Sequence, residues 1–321
     1  MKKNVKRFLS IFAVLLSVPA YAEAPQLGEW QLLFENDDGR AVALDVYRET
    51  PVILDEKGHI YFLNKEVGKE TDGDWFGEVY ENWQQVSGGG VAMDISVDGD
   101  GVPWVVGKKS RKIYYLDGDF AGPNRGWIEH PGNGRASRIS VAKASGTPYM
   151  VGAVSGRVFK GNDNGWQALP TRIIDSNGAD TSASLKAIDI YAKSYTIASG
   201  DNTDKRELVF AINQDKKVFL YYPAKNAWQE LPGGATATAI VTSGKLVYII
   251  GADGKFYGTQ IPNGKEWASA GKGSGKDLAF SQVSIFQPFV TQGGKRVPSA
   301  SYRYIWTIGE KGKVYRAFVA Y

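Results

Sequence analysis

The chain has no cysteine, two histidines and three methionines in 321 residues. Without thiols there are no disulfides, no thiolate metal site, no cysteine nucleophile and no lipid-bearing cysteine behind a leader. Two histidines, His59 and His130, are too few for a multi-histidine metal centre. Each sits in a turn whose counterparts hold Arg, Lys or an aliphatic residue, so both read as surface or structural side chains rather than ligands or bases. The sequence also lacks a long amphipathic helical pattern, a low-complexity linker, and a glycine-rich phosphate loop that opens a helix. Its one sustained apolar run, residues 8–18, is too short to span a bilayer.

Charge of one sign is missing too, once the amino terminus is set aside. Residues 1–22 carry Lys2, Lys3, Lys6 and Arg7, then the apolar run, then Ala20-Tyr21-Ala22, the layout of a cleaved export signal. That segment holds four of the 38 basic residues and none of the 34 acidic ones, so residues 23–321 are balanced. Balance removes the electrostatic argument for nucleic-acid binding. We expect an exported protein, periplasmic or secreted, with no transmembrane segment, whose residues 23–321 form one domain.

What is abundant is periodic. Trp30, Trp83, Trp127, Trp166, Trp228 and Trp267 recur at spacings of 39 to 62 residues. Between them a turn-to-strand pattern returns six times: DEKGHIY at 55–61, GKKSRKIY at 107–114, GAVSGRVF at 152–159, NQDKKVF at 213–219, GADGKFY at 251–257 and GEKGKVY at 309–315. Its last position is an unbroken aromatic column: Tyr61, Tyr114, Phe159, Phe219, Tyr257 and Tyr315. A second column, Val52, Trp104, Tyr149, Phe210, Tyr248 and Trp306, precedes each turn. Upstream, Ala-x-Asp opens a further run and aligns Asp45, Asp94 and Asp189, with Arg138 or Ala239 elsewhere. Four short runs rich in Val, Ile and aromatics, cut by Gly, Asp, Asn and Lys, are four strands per repeat.

Such a sheet cannot bury both faces alone, and six of them predict an all-β, six-bladed β-propeller of four-stranded blades. Large rings between twisted blades then serve as inter-blade core. The sixth repeat lacks a final Trp strand, while GEWQLLF around Trp30 is a spare one. We therefore expect the N-terminal strand to pair with the C-terminal blade and close the ring. Carboxylates of the Ala-x-Asp column would line the central channel, where they either hold an ion or accept backbone hydrogen bonds; the second is the simpler reading. Asp98-Gly99-Asp100-Gly101 begins like a calcium loop but lacks the downstream glutamate. We expect no metal and no cofactor.

The order Trp-x-x-Leu-Pro-Gly, Ala-x-x-Ile-x-Val, Gly-x-Pro-Trp-Val-Val, Gly-x-Ile-Tyr resembles tectonin repeats, best over residues 83–114 and next over 127–159. The resemblance to these tachylectin-type β-propeller lectins implies carbohydrate binding without chemistry, with glycans or lipopolysaccharide as partners. The alternative is a cell-envelope scaffold that holds another protein. A propeller enzyme, a calcium-dependent lactonase or a glycosidase, would need clustered channel carboxylates, and sialidase-type Ser-x-Asp-x-Gly-x-Thr-Trp boxes are absent.

Long segments 67–82, 117–126, 199–206 and 288–301 are first-to-second or third-to-fourth strand connections, which share one face of the disc. That face would display Trp75, Phe76, Tyr80, Phe120, Asn124, Arg125, Asn202, Lys295 and Arg296. Sugar recognition needs apolar ring faces beside planar polar groups, and this set offers both.

Overall fold

A computed structural model describes residues 26–34, 40–48, 50–66, 79–86, 88–118, 126–199, 202–243, 245–261, 266–285, 291–292, 295–296 and 300–320. They form six antiparallel blades in a ring. Blade 1 takes Ala41–Tyr47, Thr50–Asp55, Ile60–Glu66 and Val79–Gln85 from the axis outward. Blade 2 follows with Ala92–Val97, Pro103–Gly107, Ile113–Leu116 and Trp127–Glu129, and blade 3 with Ala136–Ala142, Thr147–Gly152, Val158–Asn162 and Gly165–Ala168. Blade 4 uses Ala187–Ser199, Asn202–Asn213, Val218–Tyr222 and Ala227–Glu230; blade 5 uses Ala237–Ser243, Leu246–Gly251, Phe256–Gln260 and Ala268–Ser269.

Blade 6 joins the two ends of the chain. Its inner strands are Asp277–Ile285, Ala300–Ile308 and Val314–Ala320. The outermost place is filled by Gln26–Leu27, paired with Val319 and Ala320, and by Gln31–Phe34, paired with residues of 314–316. The ring is closed as expected, by hydrogen bonds between first and last strands.

The core is divided rather than central. Six clusters of buried side chains each sit between two neighbouring blades, from Ala43, Leu54 and Val105 between blades 1 and 2 to Val46, Trp306 and Val314 between blades 6 and 1. This is where the repeat aromatics go: Trp228, Trp306 and Phe210 are fully buried, and Tyr149, Phe219 and Tyr248 nearly so. At about 1.5–3 kcal/mol per large apolar side chain, these inter-blade contacts dominate the stabilisation.

The tryptophan column has a specific job. Four lie on the outermost strand, opposite Leu63, Leu116, Gly161 and Tyr221, and Trp267 and Trp30 come one residue before the outer strands that pair Ala268 with Gly258 and Gln31 with Arg316, which is the same register. Three of them hook onto the preceding blade: Trp228 Nε1 donates to the Pro170 carbonyl (2.8 Å), Trp267 Nε1 to Pro232 (3.0 Å) and Trp30 Nε1 to Lys272 (2.8 Å). In Trp-x-x-Leu-Pro the leucine is buried between blades and the proline carbonyl receives the next blade's indole.

His130 replaces that leucine, and it is buried, not on the surface. Its ring lies between Trp104 and Trp166, and its Nδ1–H donates to the Pro131 carbonyl at 2.9 Å. His130 thus takes one lone pair of the carbonyl that receives the indole in other blades, and Trp166 Nε1 has no partner among the described residues. Burial holds the imidazole below its usual value of 6.5, so it is neutral at pH 7. A histidine with a depressed folded pKa gives stability that is whole above pH 6.5 and is lost as pH falls below it. We therefore expect His130→Leu to raise stability by about 1 kcal/mol at neutral pH, as the indole bond forms. It should also flatten the loss below pH 6.5 in thermal melts. A variant that is less stable at both pH 7 and pH 5 would disprove this account.

In two of the segments expected to be loops, 199–206 and 288–301, the described residues are paired strands. In blade 4 the inner hairpin pairs from Ala187 with Asn213 up to Ser199 with Asn202, whereas in blade 2 it stops at Val97 with Pro103. The extra length carries it roughly 20 Å beyond its neighbours, at about 3.4 Å per residue. Blade 6 extends similarly, to Ile285 with Ala300, and carries a small hairpin of Thr291–Gln292 and Lys295–Arg296. Segments such as SYTIAS and RELVF are strand formers, so pairing continues until the turn. Blade 4 also gains two outer strands, Arg172–Ile174 running parallel to Ala227–Glu230, and Asp180–Ser184 beyond it. Together these additions account for the long interval from Trp166 to Trp228.

Candidate functional site

The innermost strands surround a channel with a cavity of about 390 Å³. Five of them begin with a bulge whose first residue, Ala41, Ala92, Ala136, Ala187 or Ala237, is buried. Four of these alanines donate their N–H to the preceding blade's turn, at Gly58, Arg111, Gly156 and Lys216. Each of those turn residues has a left-handed backbone, with φ from +60° to +96°. At Gly58 a Cβ would lie 2.3 Å from the Ala92 carbonyl, so glycine is needed for that approach.

The bulge corrects the alignment of the aspartates. Asp94 lies opposite Val106, Asp189 opposite Ile212, Arg138 opposite Val151 and Ala239 opposite Ile250. In blade 1 the equivalent residue, opposite Leu54, is Ala43. Asp45 stands one rung further along, level with Ser96, Ser140 and Tyr191. The place it was assigned is taken in blade 6 by Asp277, opposite Ile308. Blade 1 offers alanine at both 41 and 43, so the sequence contains two frames; blade 6 offers none, and Asp277 went unseen.

One end of the channel is therefore a ring of Asp94, Asp189, Asp277 and Arg138. Arg138 Nε lies 3.4 Å from Asp189 Oδ1. Asp94 accepts the Ile139 N–H at 2.7 Å and Asp277 the Leu44 N–H at 2.8 Å, each from the next blade. Burial pushes Asp94 up to about 7 against the pull of Arg138, and Asp277 up to about 8 with help from the Asp189 charge. Burial raises Asp189 too, with Arg138 opposing. Among the described residues no group of three or more His, Cys, Asp or Glu is placed to hold a metal. These carboxylates tie blade to blade.

A girdle of Leu44, Ile95, Ile139, Ile190, Ile240 and Leu278, one from each blade, follows. On the next polar rung Asp45 accepts from the Ser96 hydroxyl and Val97 N–H, Ser96 from Val141 N–H, and Ser140 from Ala192 N–H, at 2.7 to 3.0 Å. Beyond it the channel becomes cationic. Lys143 Nζ sits 2.9 Å from Asp45 Oδ1 and also donates to the Val46 carbonyl. Lys193 Nζ donates to the Thr242 carbonyl at 3.1 Å and stands 4.4 Å from the centre of the Phe280 ring. Strand direction places this end on the face of the blade 4 and blade 6 hairpins.

Two further pockets lie between blades on the opposite face. One, about 340 Å³, is lined by Tyr114, Trp127, Ser110, Lys109, Val91 and neighbours at the blade 1–2 joint. The other, about 300 Å³, is lined by Tyr315, Trp30, Phe256, Thr307, Gly273 and Ser274 at the blade 5–6 joint. The two are equivalent around the ring. Tyr114 opposite Val105 matches Tyr315 opposite Thr307, and Trp127 and Trp30 hold the same outer-strand position.

Of the residues assigned to ligand from sequence, Trp75, Phe76, Phe120, Asn124 and Arg125 lie outside the described residues. Tyr80 is on the outer strand of blade 1, opposite Lys65. Asn202 pairs with Ser199 at the tip of the blade 4 hairpin, and Arg296 pairs with Thr291 in the small hairpin of blade 6, with Lys295 beside it. Asp98 makes a tight turn: its Oδ1 accepts from Asp100 and Val102 N–H at 2.9 Å, and Oδ2 from Trp104 Nε1 at 3.3 Å. The two equivalent pockets were missed because each draws on two blades; the signal available was the coincidence of Trp and Tyr columns.

No protein-family model matches the chain, and no curated protein matches it. Solved structures similar to it include YCF48 bound to a D1 peptide, at 13% identity and TM-score 0.47, over 91% of this chain and 81% of that one. The WD40 β-propeller domain of Doa1 is 12% identical at TM-score 0.48, over 91% and 97% of the two chains. The computationally designed Ika8 protein is 14% identical at TM-score 0.41, over 87% and 74%. At this distance no partner or chemistry passes from them to this chain, since propellers host many activities.

Proposed function

We propose that the protein is a non-catalytic, carbohydrate-binding propeller, exported by its first 22 residues to the bacterial envelope or beyond. The observation that carries the reading is the pair of equivalent inter-blade pockets, each walled by a half-buried Trp and a Tyr with a serine hydroxyl at the rim. A flat apolar ring face stacks on the C–H face of a sugar, and nearby hydroxyl and backbone groups orient its hydroxyls. The resemblance to tectonin repeats points the same way, and glycans, including those of lipopolysaccharide, are the ligand class.

The test is a glycan array, followed by titration of its best hit. Val91 is 39% exposed at the rim of one pocket and Ser274 is exposed at the other, so Val91→Trp with Ser274→Trp fills both without touching the core. Binding should fall at least about tenfold while the melting temperature holds. Full affinity in the double variant would refute the pocket assignment. A second reading, an envelope scaffold, is favoured by the projecting blade 4 hairpin. It gains if the array is empty and a co-purifying envelope protein is lost when the hairpin is trimmed.

A further inference from the structure

We propose that the lysine end of the central channel binds a small ligand bearing a carboxylate or phosphate, held by Lys193, Lys143 and Ser194. The site stands apart from the inter-blade pockets and opens on the opposite face. Along its axis the channel changes character: Asp94, Asp189 and Asp277 gather at one end with Arg138, where burial favours the protonated acids, and the six-residue aliphatic girdle separates them from the lysines at the other.

The lysine end is short of negative charge. Its near carboxylates are Asp45, which already accepts from Val46, Val97, Ser96 and Lys143, and Asp98, which lines the same cavity and already accepts from Asp100, Val102 and Trp104. Lys193 has no carboxylate partner among the described residues; its ammonium has one carbonyl, that of Thr242, and the face of Phe280. Three N–H groups on each ammonium exceed the acceptors in place.

Ser194 supplies a neutral donor. It is buried, at 7% exposure, and its Oγ accepts from both Ala144 N–H (2.6 Å) and Ser145 N–H (3.0 Å). Its own O–H is thereby turned away from those amides and is available to an oxyanion. Burial, with Arg303 and Lys143 nearby, brings Lys193 down to about 8, the mark of a cation lacking counter-charge. A bound anion would supply that charge through charge-assisted hydrogen bonds. Tyr191 and Phe280 give this end an apolar flank, and the channel cavity as a whole, both ends included, measures about 390 Å³.

The experiment is calorimetric titration of the protein at low salt with inorganic phosphate, glucose 1-phosphate, glucuronate and neutral glucose. Glucose 1-phosphate or glucuronate should bind while glucose does not, and whichever is tighter tells phosphate from carboxylate. Lys193→Met, which removes a poorly compensated charge and should fold, lowers that affinity at least about tenfold. Lys193→Arg retains part of it. Val91→Trp, which closes an inter-blade pocket, should leave anion binding unchanged, and the Lys193, Ser194 and Ala144 amide resonances should shift on titration. Equal affinity in Lys193→Met, loss in Val91→Trp, glucose binding as tight as glucose 1-phosphate, or no binding at low millimolar concentration would each overturn the proposal.

Discussion

Glu207→Gln is expected to cost about 2–3 kcal/mol at pH 7, a fall of roughly 5–10 °C in melting temperature. Glu207 lies on the second strand of blade 4, opposite Ser194, and reaches across to blade 3. There its carboxylate accepts from Tyr149 Oη (2.5 Å), Lys160 Nζ (2.7 Å) and Ser145 Oγ (2.7 Å). Burial alone would raise its pKa, but the bonds from Lys160, Thr147, Tyr149 and Ser145 outweigh it and bring the group from 4.5 down to about 2. The side chain is only 16% exposed, so solvent screening removes little of this. A depressed acid pKa gives stability that is present above pH 4.5 and lost as pH falls toward about 2. Wild type and variant should therefore differ fully at pH 7 and converge in acid, as measured by denaturant melts across pH. A constant difference at every pH would mean the loss is one of packing, not charge.

Deleting residues 26–34 should be costlier still, about 4–6 kcal/mol and 10 °C or more. Leu27 is buried and its N–H bonds to the Ala270 carbonyl at 2.6 Å, while Trp30 packs on Phe256 at 4.6 Å and bonds to Lys272. Without them the strand Val314–Ala320 becomes an open edge, and buried Ala317 and Val319 lose their cover. An unpaired edge recruits other chains, so light scattering should report self-association along with the lower melting temperature. A synthetic peptide of residues 23–34 added in trans should restore part of the loss. An unchanged melt would mean the closure contributes nothing.

Architecture was legible in the sequence because a propeller repeats one local pattern. The Trp column, the two strand columns and the spare strand at Trp30 each report a fixed register on a blade, and every one of them occupies that register. The Ala-x-Asp column was legible only in part. Blade 1 fits the pattern in two frames two residues apart, so Asp45 was assigned to the rung before its own and Asp277 was not assigned at all, while the alternation of buried and channel-facing positions looked the same. The hairpins of blades 4 and 6 were read as loops because strand and loop differ there by pairing, which a single segment does not display.

Periodicity along the chain set the number of blades, their order and the closing of the ring, since these follow from side-chain types acting over a few residues. Where polar groups from different blades meet was settled by packing in three dimensions. The channel's separation into a carboxyl end and a lysine end, the placing of His130 between the indole of Trp166 and the Pro131 carbonyl, and the pairing of two equivalent pockets all join residues far apart in the chain. Their distances are set by how twisted sheets pack, and no local pattern encodes that.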